Sequence, residues 1–262
     1  MGNYQEIAQN TNKEESYTKQ KINRGIDAFY VNSTFVLFAL IFVIGTYLLM
    51  TTEAGRNILG TVASFTYIPA IMLILIFSAA PLCVLIGSKS ENARDMFIIN
   101  LVFLIFIMIF IMFPQVLKAP INVVLPSILA FGINFRVDQL TILILIAAAF
   151  LWLMSIIYGH NYMKLAEENR GRFYFWFLVT FGGICGALMA NDLLTMFLFF
   201  EIMYLSCYFL VAHNQTPEAL RAGNRYIYMG IVGGLSMLLG ISLLYVYTNT
   251  FILVDIMAPL QA

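Results

Sequence analysis

Runs of about twenty apolar residues, separated by short charged segments, repeat along most of this chain. A helix of roughly 20 such residues spans a hydrocarbon core about 30 Å thick. Hydrophobic residues make up 61% of the sequence and charged residues only 11%, which excludes an ordinary water-soluble domain. We therefore predict an all-α, polytopic membrane protein with about seven transmembrane helices. The predicted spans are residues 34–50, 66–86, 97–117, 137–159, 173–190, 192–212 and 226–248.

The fifth and sixth of these spans form one long apolar stretch, interrupted only by Asn191 and Asp192. A single helix over residues 173–212 would be about 60 Å long, twice the thickness of the hydrocarbon core. A tight turn at Asn191 and Asp192 is therefore expected. Small residues at four-residue spacing on both sides of this region predict close helix packing in the membrane. They are Gly182, Gly186 and Ala190 in one span, and Gly230 and Gly234 in another.

The distribution of the basic residues predicts how the chain is oriented in the membrane. With seven spans, three of the 14 lysines and arginines fall on one side, namely Arg56, Lys118 and Arg136, and the remaining 11 fall on the other. Basic residues concentrate on the cytoplasmic side of membrane proteins. We predict a multi-pass protein of the cell (inner, cytoplasmic) membrane with a polar cytoplasmic N-terminal tail, residues 1–33. A membrane domain, residues 34–248, and a C-terminal tail, residues 249–262, follow.

Charge and cysteine usage exclude several classes of partner and cofactor. The formal net charge is zero, so nothing favours nucleic acid as a partner. Cys83, Cys185 and Cys207 lie singly within apolar runs, and the chain has only two histidines. No disulfide framework, zinc site or iron–sulfur cluster is therefore expected, and without a cofactor motif the chain itself is not expected to perform redox chemistry.

Glu201 is the one acidic residue placed well inside a predicted span. It follows Asp192 by nine residues, which places it about 14 Å along the helix and near the bilayer midplane. A carboxyl group at that depth costs roughly 3 kcal/mol, so it is expected to face protein or water. Intramembrane carboxylates commonly serve ion pathways, and Glu201 is our primary candidate for ion translocation. The competing interpretation is a protonated Glu201 that only hydrogen-bonds a neighbouring helix.

Five further residues are possible accessories to that path. Tyr204 and Tyr208 share the helical face of Glu201, although packing in the core also explains them. Asp192 and Asp138 precede helices, where capping is the simpler role. His213, like His160, falls at the end of a helix, where an electrostatic interaction with the helix C-terminus is expected, and His213 could also feed protons inward.

Several segments in the second half of the chain resemble one family in order and spacing. They are Phe135-Arg136-Val137-Asp138-Gln139-Leu140-Thr141, then Asn191-Asp192-Leu193-Leu194-Thr195-Met196-Phe197-Leu198-Phe199-Phe200-Glu201-Ile202-Met203, Ser206-Cys207-Tyr208-Phe209-Leu210-Val211-Ala212, Thr216-Pro217-Glu218-Ala219-Leu220-Arg221-Ala222 and Arg225-Tyr226. The family is the antiporter-like membrane subunits of respiratory complex I, energy-converting membrane-bound hydrogenases and Mrp-type sodium/proton antiporters.

The resemblance implies an ion-translocation role for Glu201, which in the family exchanges protons with a lysine on a following helix. Residues 66–248 are similar to the first six family helices, and residues 34–50 would be an extra N-terminal helix. No lysine lies inside a predicted span. The resemblance is thus to an N-terminal half, truncated or split before the lysine-bearing helix.

These observations predict a split, proton- or sodium-translocating subunit of a multisubunit redox complex, such as an energy-converting hydrogenase or a complex I relative. Its expected partners are the lipid bilayer, a membrane subunit that supplies intramembrane lysines and the remaining helices, and peripheral redox subunits with nickel–iron and iron–sulfur centres. The alternative is a structural scaffold that does not translocate ions. A retinal protein is disfavoured because the last predicted span has no lysine for a Schiff base.

Overall fold

Apolar helices dominate the architecture. The computed structural model describes residues 66–125, 132–166 and 169–260, so the predicted tail 1–33 and the predicted span 34–50 lie outside the described residues. In chain order the described elements are α1 (Ile68–Gly87), α2 (Glu91–Val116), β1 (Ile121–Leu125), β2 (Ile133–Val137), α3 (Gln139–Ala166), α4 (Arg170–Met189), α5 (Leu193–Val211), α6 (Pro217–Thr248) and α7 (Leu253–Leu260).

Helices α1 to α6 are each long and apolar enough to cross a membrane. They correspond to the six predicted spans that fall within the described residues. The turn expected at Asn191 and Asp192 is present, because α4 ends at Met189 and α5 begins at Leu193. The prediction of an all-α, polytopic membrane protein is confirmed.

Three helices differ by more than five residues from the predicted spans at one end: α2 begins at Glu91 rather than at residue 97, α3 ends at Ala166 rather than at residue 159, and α6 differs most. Helix α6 begins at Pro217 rather than at residue 226, because Thr216 caps it by accepting a hydrogen bond from the Ala219 N–H at 3.1 Å. Proline in the first turn also suits a helix start, since it needs no amide donor there. The hydropathy pattern did not include residues 217–225 in the predicted span because this segment contains Arg221 and Arg225. The short helix α7 lies in the region predicted as a tail.

A β-hairpin between α2 and α3 was not predicted. Strands β1 and β2 pair antiparallel, with Ile121 opposite Val137 and Leu125 opposite Ile133. Alternate residues of β2, namely Ile133, Phe135 and Val137, are buried. This alternation is the pattern of a strand with one covered face.

The hairpin and the segment after α6 both hold the start of α5. The Asn191 N–H donates to the carbonyl of Asn134 in β2 at 2.9 Å. From the other side, the Leu193 N–H donates to the carbonyl of Phe251 at 3.0 Å. Backbone groups at the α4–α5 turn are thereby satisfied without water, as a buried turn requires. The position of α5, and hence of Glu201, is fixed at this end.

Glycines allow α4 to pack closely on its neighbours, as the small-residue spacing predicts. A Cβ on Gly182 would lie 2.9 Å from the Phe77 ring of α1, and one on Gly186 would overlap the Phe199 ring of α5. At Gly183 the neighbour is backbone, since a Cβ there would lie 2.8 Å from the backbone nitrogen of Met203 in α5. Helix α4 is therefore the central element against which α1 and α5 pack.

Candidate functional site

Glu201 lies near the middle of α5 and is half-buried against α6. Its Oε1 approaches Gly234 so closely that a Cβ on this glycine would overlap it. Gly234 is one of the few buried residues of α6. The side chain of Glu201 therefore occupies space between two apolar helices that only a glycine at position 234 leaves open.

Two tyrosines continue this contact along the same face of α5. Tyr204 packs where a Cβ on Gly230 would stand, stacks on Tyr226 with ring centroids 4.5 Å apart, and donates its hydroxyl to the Tyr226 carbonyl. Tyr208 lies against Gly223, whose Cβ would be 2.9 Å from the Tyr208 ring. We call Glu201, Tyr204 and Tyr208 the α5 stripe. The structure places all three against glycines of α6.

Asp192 and Asp138 both cap helices. Asp192 is buried, and its two carboxylate oxygens accept hydrogen bonds from the N–H and hydroxyl of Thr195 at 2.7 and 2.6 Å. Asp138 Oδ1 accepts the Thr141 N–H at 2.9 Å. This hydrogen bond is the main reason that the pKa of Asp138 lies below its ordinary value, and the positive charge of Arg136 adds to it. Neither residue needs a transport role to explain its position.

The Asp138 cap predicts a pH-dependent stability. Since its pKa is lowered in the fold, the charged cap stabilises above the ordinary carboxyl pKa and loses this contribution as the pH falls through the lowered value. Asp138→Asn keeps a capping oxygen but does not titrate. The stability advantage of the wild type over Asp138→Asn, less than about 1 kcal/mol for this partly exposed group, should shrink between about pH 7 and about pH 3. Thermal unfolding in detergent measures it, and an equal advantage at both pH values would contradict the assignment.

His213 is buried just past the end of α5, five residues after Tyr208 of the α5 stripe. Its ring lies edge-on to Phe173 with centroids 5.4 Å apart, and its carbonyl accepts a hydrogen bond from Arg172 at 2.6 Å. The arginine thus gives a partner to a backbone carbonyl in the turn that follows α5. The residue ties the end of α5 to the start of α4.

Sequence reasoning missed a buried polar cluster at the same end of the bundle. Arg94, Asp95 and His160 are all at least 97% buried and lie in contact. The predicted span began at residue 97, which left Arg94 outside it, and His160 was expected only to interact with a helix end. Neighbouring opposite charges at Arg94 and Asp95 are the only signal the sequence offers. Nothing in it shows that His160 joins them.

A second buried polar pair links α4 and α5. Thr180 and Ser206 are each at most 2% exposed, and their hydroxyls are 2.8 Å apart. Ser206 also donates to the Met203 carbonyl of its own helix at 2.8 Å.

Within the described residues, no group of three or more His, Cys, Asp or Glu side chains is arranged to hold a metal ion.

Taken together, these features define a multi-pass α-helical membrane protein with a carboxylate held between two of its helices. Two family models match the chain. One is described as the NADH:quinone oxidoreductase/Mrp antiporter transmembrane region and matches residues 190–260. The other is described as the N-terminus of chain 5 of NADH-ubiquinone oxidoreductase (complex I) and matches residues 126–174.

Curated relatives agree with these models. NADH-quinone oxidoreductase subunit M of Buchnera aphidicola is 36% identical over 129 residues, which are 47% of this chain and 25% of the relative. Antiporter subunit mnhD2 of Staphylococcus haemolyticus is 34% identical over 122 residues, which are 46% of this chain and 24% of the relative. The match thus spans about a quarter of the length of these relatives.

Solved structures with the same fold come from large membrane assemblies. A chain of the membrane-bound sulfane sulfur reductase, an archaeal respiratory membrane complex, is 25% identical, with a TM-score of 0.61 over 72% of this chain and 39% of that one. A chain of the Mrp complex from Dietzia sp. is 17% identical, with a TM-score of 0.64 over 72% of this chain and 20% of that one, and shows the shared fold. The resemblance seen in the sequence is confirmed, because the family models, the curated relatives and the solved structures all come from antiporter-like membrane subunits or their complexes.

Proposed function

We propose that this chain is a proton- or sodium-translocating, antiporter-like subunit and that Glu201 is the ion-translocation residue. The observation that carries the proposal is the carboxylate of Glu201, half-buried between α5 and α6 near the middle of α5. Such a group is costly in lipid and is rarely kept without a function. Among the described spans, no other acidic side chain lies so far from the helix ends.

The α5 stripe supports an ion path rather than simple packing. Tyr204 and Tyr208 place hydroxyl groups on the same face as Glu201, and hydroxyls both donate and accept hydrogen bonds. We infer that the face of α5 toward α6 carries the ion. Asp192 and Asp138 act by fixing the helix starts, and His213 remains a candidate for proton entry.

The chain is proposed to work within a multisubunit redox complex of the cytoplasmic membrane, with a cytoplasmic N-terminus. One structural neighbour belongs to an archaeal respiratory membrane complex and another to an Mrp complex, and an energy-converting hydrogenase is our preferred parent complex. No lysine lies within the membrane-spanning part of any described helix, which in α3 ends at His160. We therefore propose a second membrane subunit that supplies intramembrane lysines, and peripheral subunits that carry the nickel–iron and iron–sulfur centres.

Copurification tests these proposed partners. The complex isolated through this chain in mild detergent and analysed by mass spectrometry should contain a membrane polypeptide with intramembrane lysines and iron–sulfur subunits. Recovery of the chain alone would contradict the proposed assembly.

Replacement of Glu201 tests the proposed role. Glu201→Gln preserves size and hydrogen bonding but cannot carry a proton, so ion pumping by the assembled complex should fall by about a hundredfold or more. Glu218→Gln is the matched control, because Glu218 is exposed in the first turn of α6. If the chain were only a structural scaffold, the Glu201→Leu variant would assemble and would be at least as stable as the wild type. Ion pumping by the complex would then be retained.

A substitution at Gly234 tests the role of Glu201 without removing its carboxyl group. Gly234→Ala puts a methyl group where Oε1 of Glu201 lies, and the flexible end of that side chain must move. We expect near-wild-type stability but clearly reduced ion flux. Gly233→Ala is the control, since a Cβ there meets nothing within 4 Å. Equal flux in the two variants would show that the position of the Glu201 carboxylate does not matter.

A further inference from the structure

A cluster of ionisable side chains lies buried between α2 and α3, away from the α5 stripe in the chain. Arg94 donates two hydrogen bonds, from Nε and Nη2, to Oδ1 of Asp95 at 3.0 and 2.8 Å. The other carboxylate oxygen, Oδ2, lies 3.0 Å from Nδ1 of His160 in α3. The three residues are only 2–3% exposed. We call Arg94, Asp95 and His160 the α2–α3 cluster.

Close packing from α1 and α4 encloses the cluster. The guanidinium carbon of Arg94 lies 5.1 Å from the centre of the Tyr174 ring in α4, within the range of a cation–π contact. On the α1 side, a Cβ on Gly87 would lie 2.9 Å from Cδ of Arg94. Other titratable or charged groups surround the α2–α3 cluster in the described residues. They are Cys83 on α1, Glu91 on α2, and Arg170 and Tyr174 on α4.

Charge balance shows that His160 is not needed to neutralise the cluster. Arg94 and Asp95 already form an ion pair with two hydrogen bonds, so a neutral His160 leaves no net charge. Nδ1 lies 3.0 Å from Oδ2 of Asp95, although the two atoms do not have hydrogen-bond geometry, so a neutral ring with its proton on the side of this carboxylate has its lone pair on Nε2. That atom is buried and has no hydrogen-bond partner among the described residues.

The cluster also lies close to one membrane surface. Arg94 follows Glu91, and Tyr174 follows Arg170, by about one helical turn, or roughly 5 Å. Glu91 and Arg170 form an ion pair at this end, with side chains 54% and 18% exposed. Lys89 is exposed in the adjoining turn. Protons from the aqueous phase therefore have only a short distance to travel to His160.

We propose that His160, oriented by Asp95, is a proton-binding site at this end of the bundle and exchanges protons between the aqueous surface and the ion path of Glu201. This inference rests on the proposed function. In the uptake step an O–H bond of a hydronium ion breaks and an N–H bond forms at Nε2, with the charge passing to the imidazole. Release reverses the step, and no redox partner is required.

Nuclear magnetic resonance of the imidazole nitrogens tests the site without altering it. The chain has only two histidines, so ¹⁵N-histidine labelling of the full chain in lipid nanodiscs yields two imidazoles, and His213→Gln identifies that of His160. At high pH the spectrum should show a proton on Nδ1 and none on Nε2, and on acidification Nε2 should gain one. A His160 that keeps one protonation state at every pH at which the chain stays folded would overturn the proposal.

Ion flux then separates this proposal from the proposed function. In the assembled complex, His160→Gln should lower flux by about a hundredfold and flatten its dependence on pH. Tyr158→Phe, on the same helix and 72% exposed, should not. If Glu201→Gln loses flux but His160 never gains a proton and His160→Gln pumps normally, this proposal fails and the proposed function stands. If His160 protonates while Glu201→Gln pumps at the wild-type rate, the proposed function fails and the link between the sites fails with it.

Discussion

Gly183→Ala should destabilise the helix bundle by about 1–3 kcal/mol or more, the range expected for overpacking a tight core. A Cβ on Gly183 would lie 2.8 Å from the backbone nitrogen and 2.9 Å from the Cα of Met203. Because these are backbone atoms, no side-chain rotation relieves the clash, and α4 and α5 must move apart. Thermal unfolding of the purified chain in one detergent measures the loss.

Gly159→Ala is the control for this effect. Gly159 lies within α3, and a Cβ there meets nothing within 4 Å. Alanine is the better helix former by up to about 1 kcal/mol, so this variant should be as stable as wild type or more so. If Gly183→Ala unfolded at the same temperature as Gly159→Ala, the close contact of α4 with α5 would be contradicted.

Asp95→Asn should also be strongly destabilising, by about 3–5 kcal/mol, because it leaves the guanidinium of Arg94 buried without its counter-charge. Arg94 is only 3% exposed, so contact with bulk water cannot replace the lost carboxylate interaction. Removing both charges, in Arg94→Met with Asp95→Asn, should recover most of this loss. Chemical denaturation of the wild type, Asp95→Asn, Arg94→Met and the double variant measures the coupling.

The double variant makes this prediction specific. If Asp95→Asn cost nothing, or if the double variant were the sum of two independent losses, Arg94 and Asp95 would not act as a pair. A large loss in Asp95→Asn that the double variant restores would confirm that the ion pair, and not the volume of the side chain, is what the α2–α3 cluster requires.

The sequence predicted the transmembrane helices well because the length of an apolar run is a local property. The bilayer needs about twenty apolar residues per crossing, whatever the neighbours are. The turn between α4 and α5 was predictable for a similar reason, since residues 173–212 are too long for one span and Asp192 is a suitable cap. The packing glycines were visible from their four-residue spacing.

Features that depend on distant residues were not predictable. Strand β2 alternates buried and half-buried residues over only five positions, too short a pattern to distinguish a strand from the start of α3. The contact of Asp95 with His160 joins two helices, and no local pattern shows which helices are neighbours. The contact of Glu201 with Gly234 has the same origin, so the sequence identified the residue but not its surroundings.

The most direct test of this account is the number of ions pumped per redox turnover by the assembled complex carrying Glu201→Gln. The measurement compares inside-out vesicles that contain equal amounts of complex, and follows redox turnover and ion uptake in the same sample. The account predicts that assembly persists and that ion uptake per turnover falls to the background level, while Glu218→Gln pumps like wild type. An assembled Glu201→Gln complex with wild-type ion uptake per turnover would contradict it.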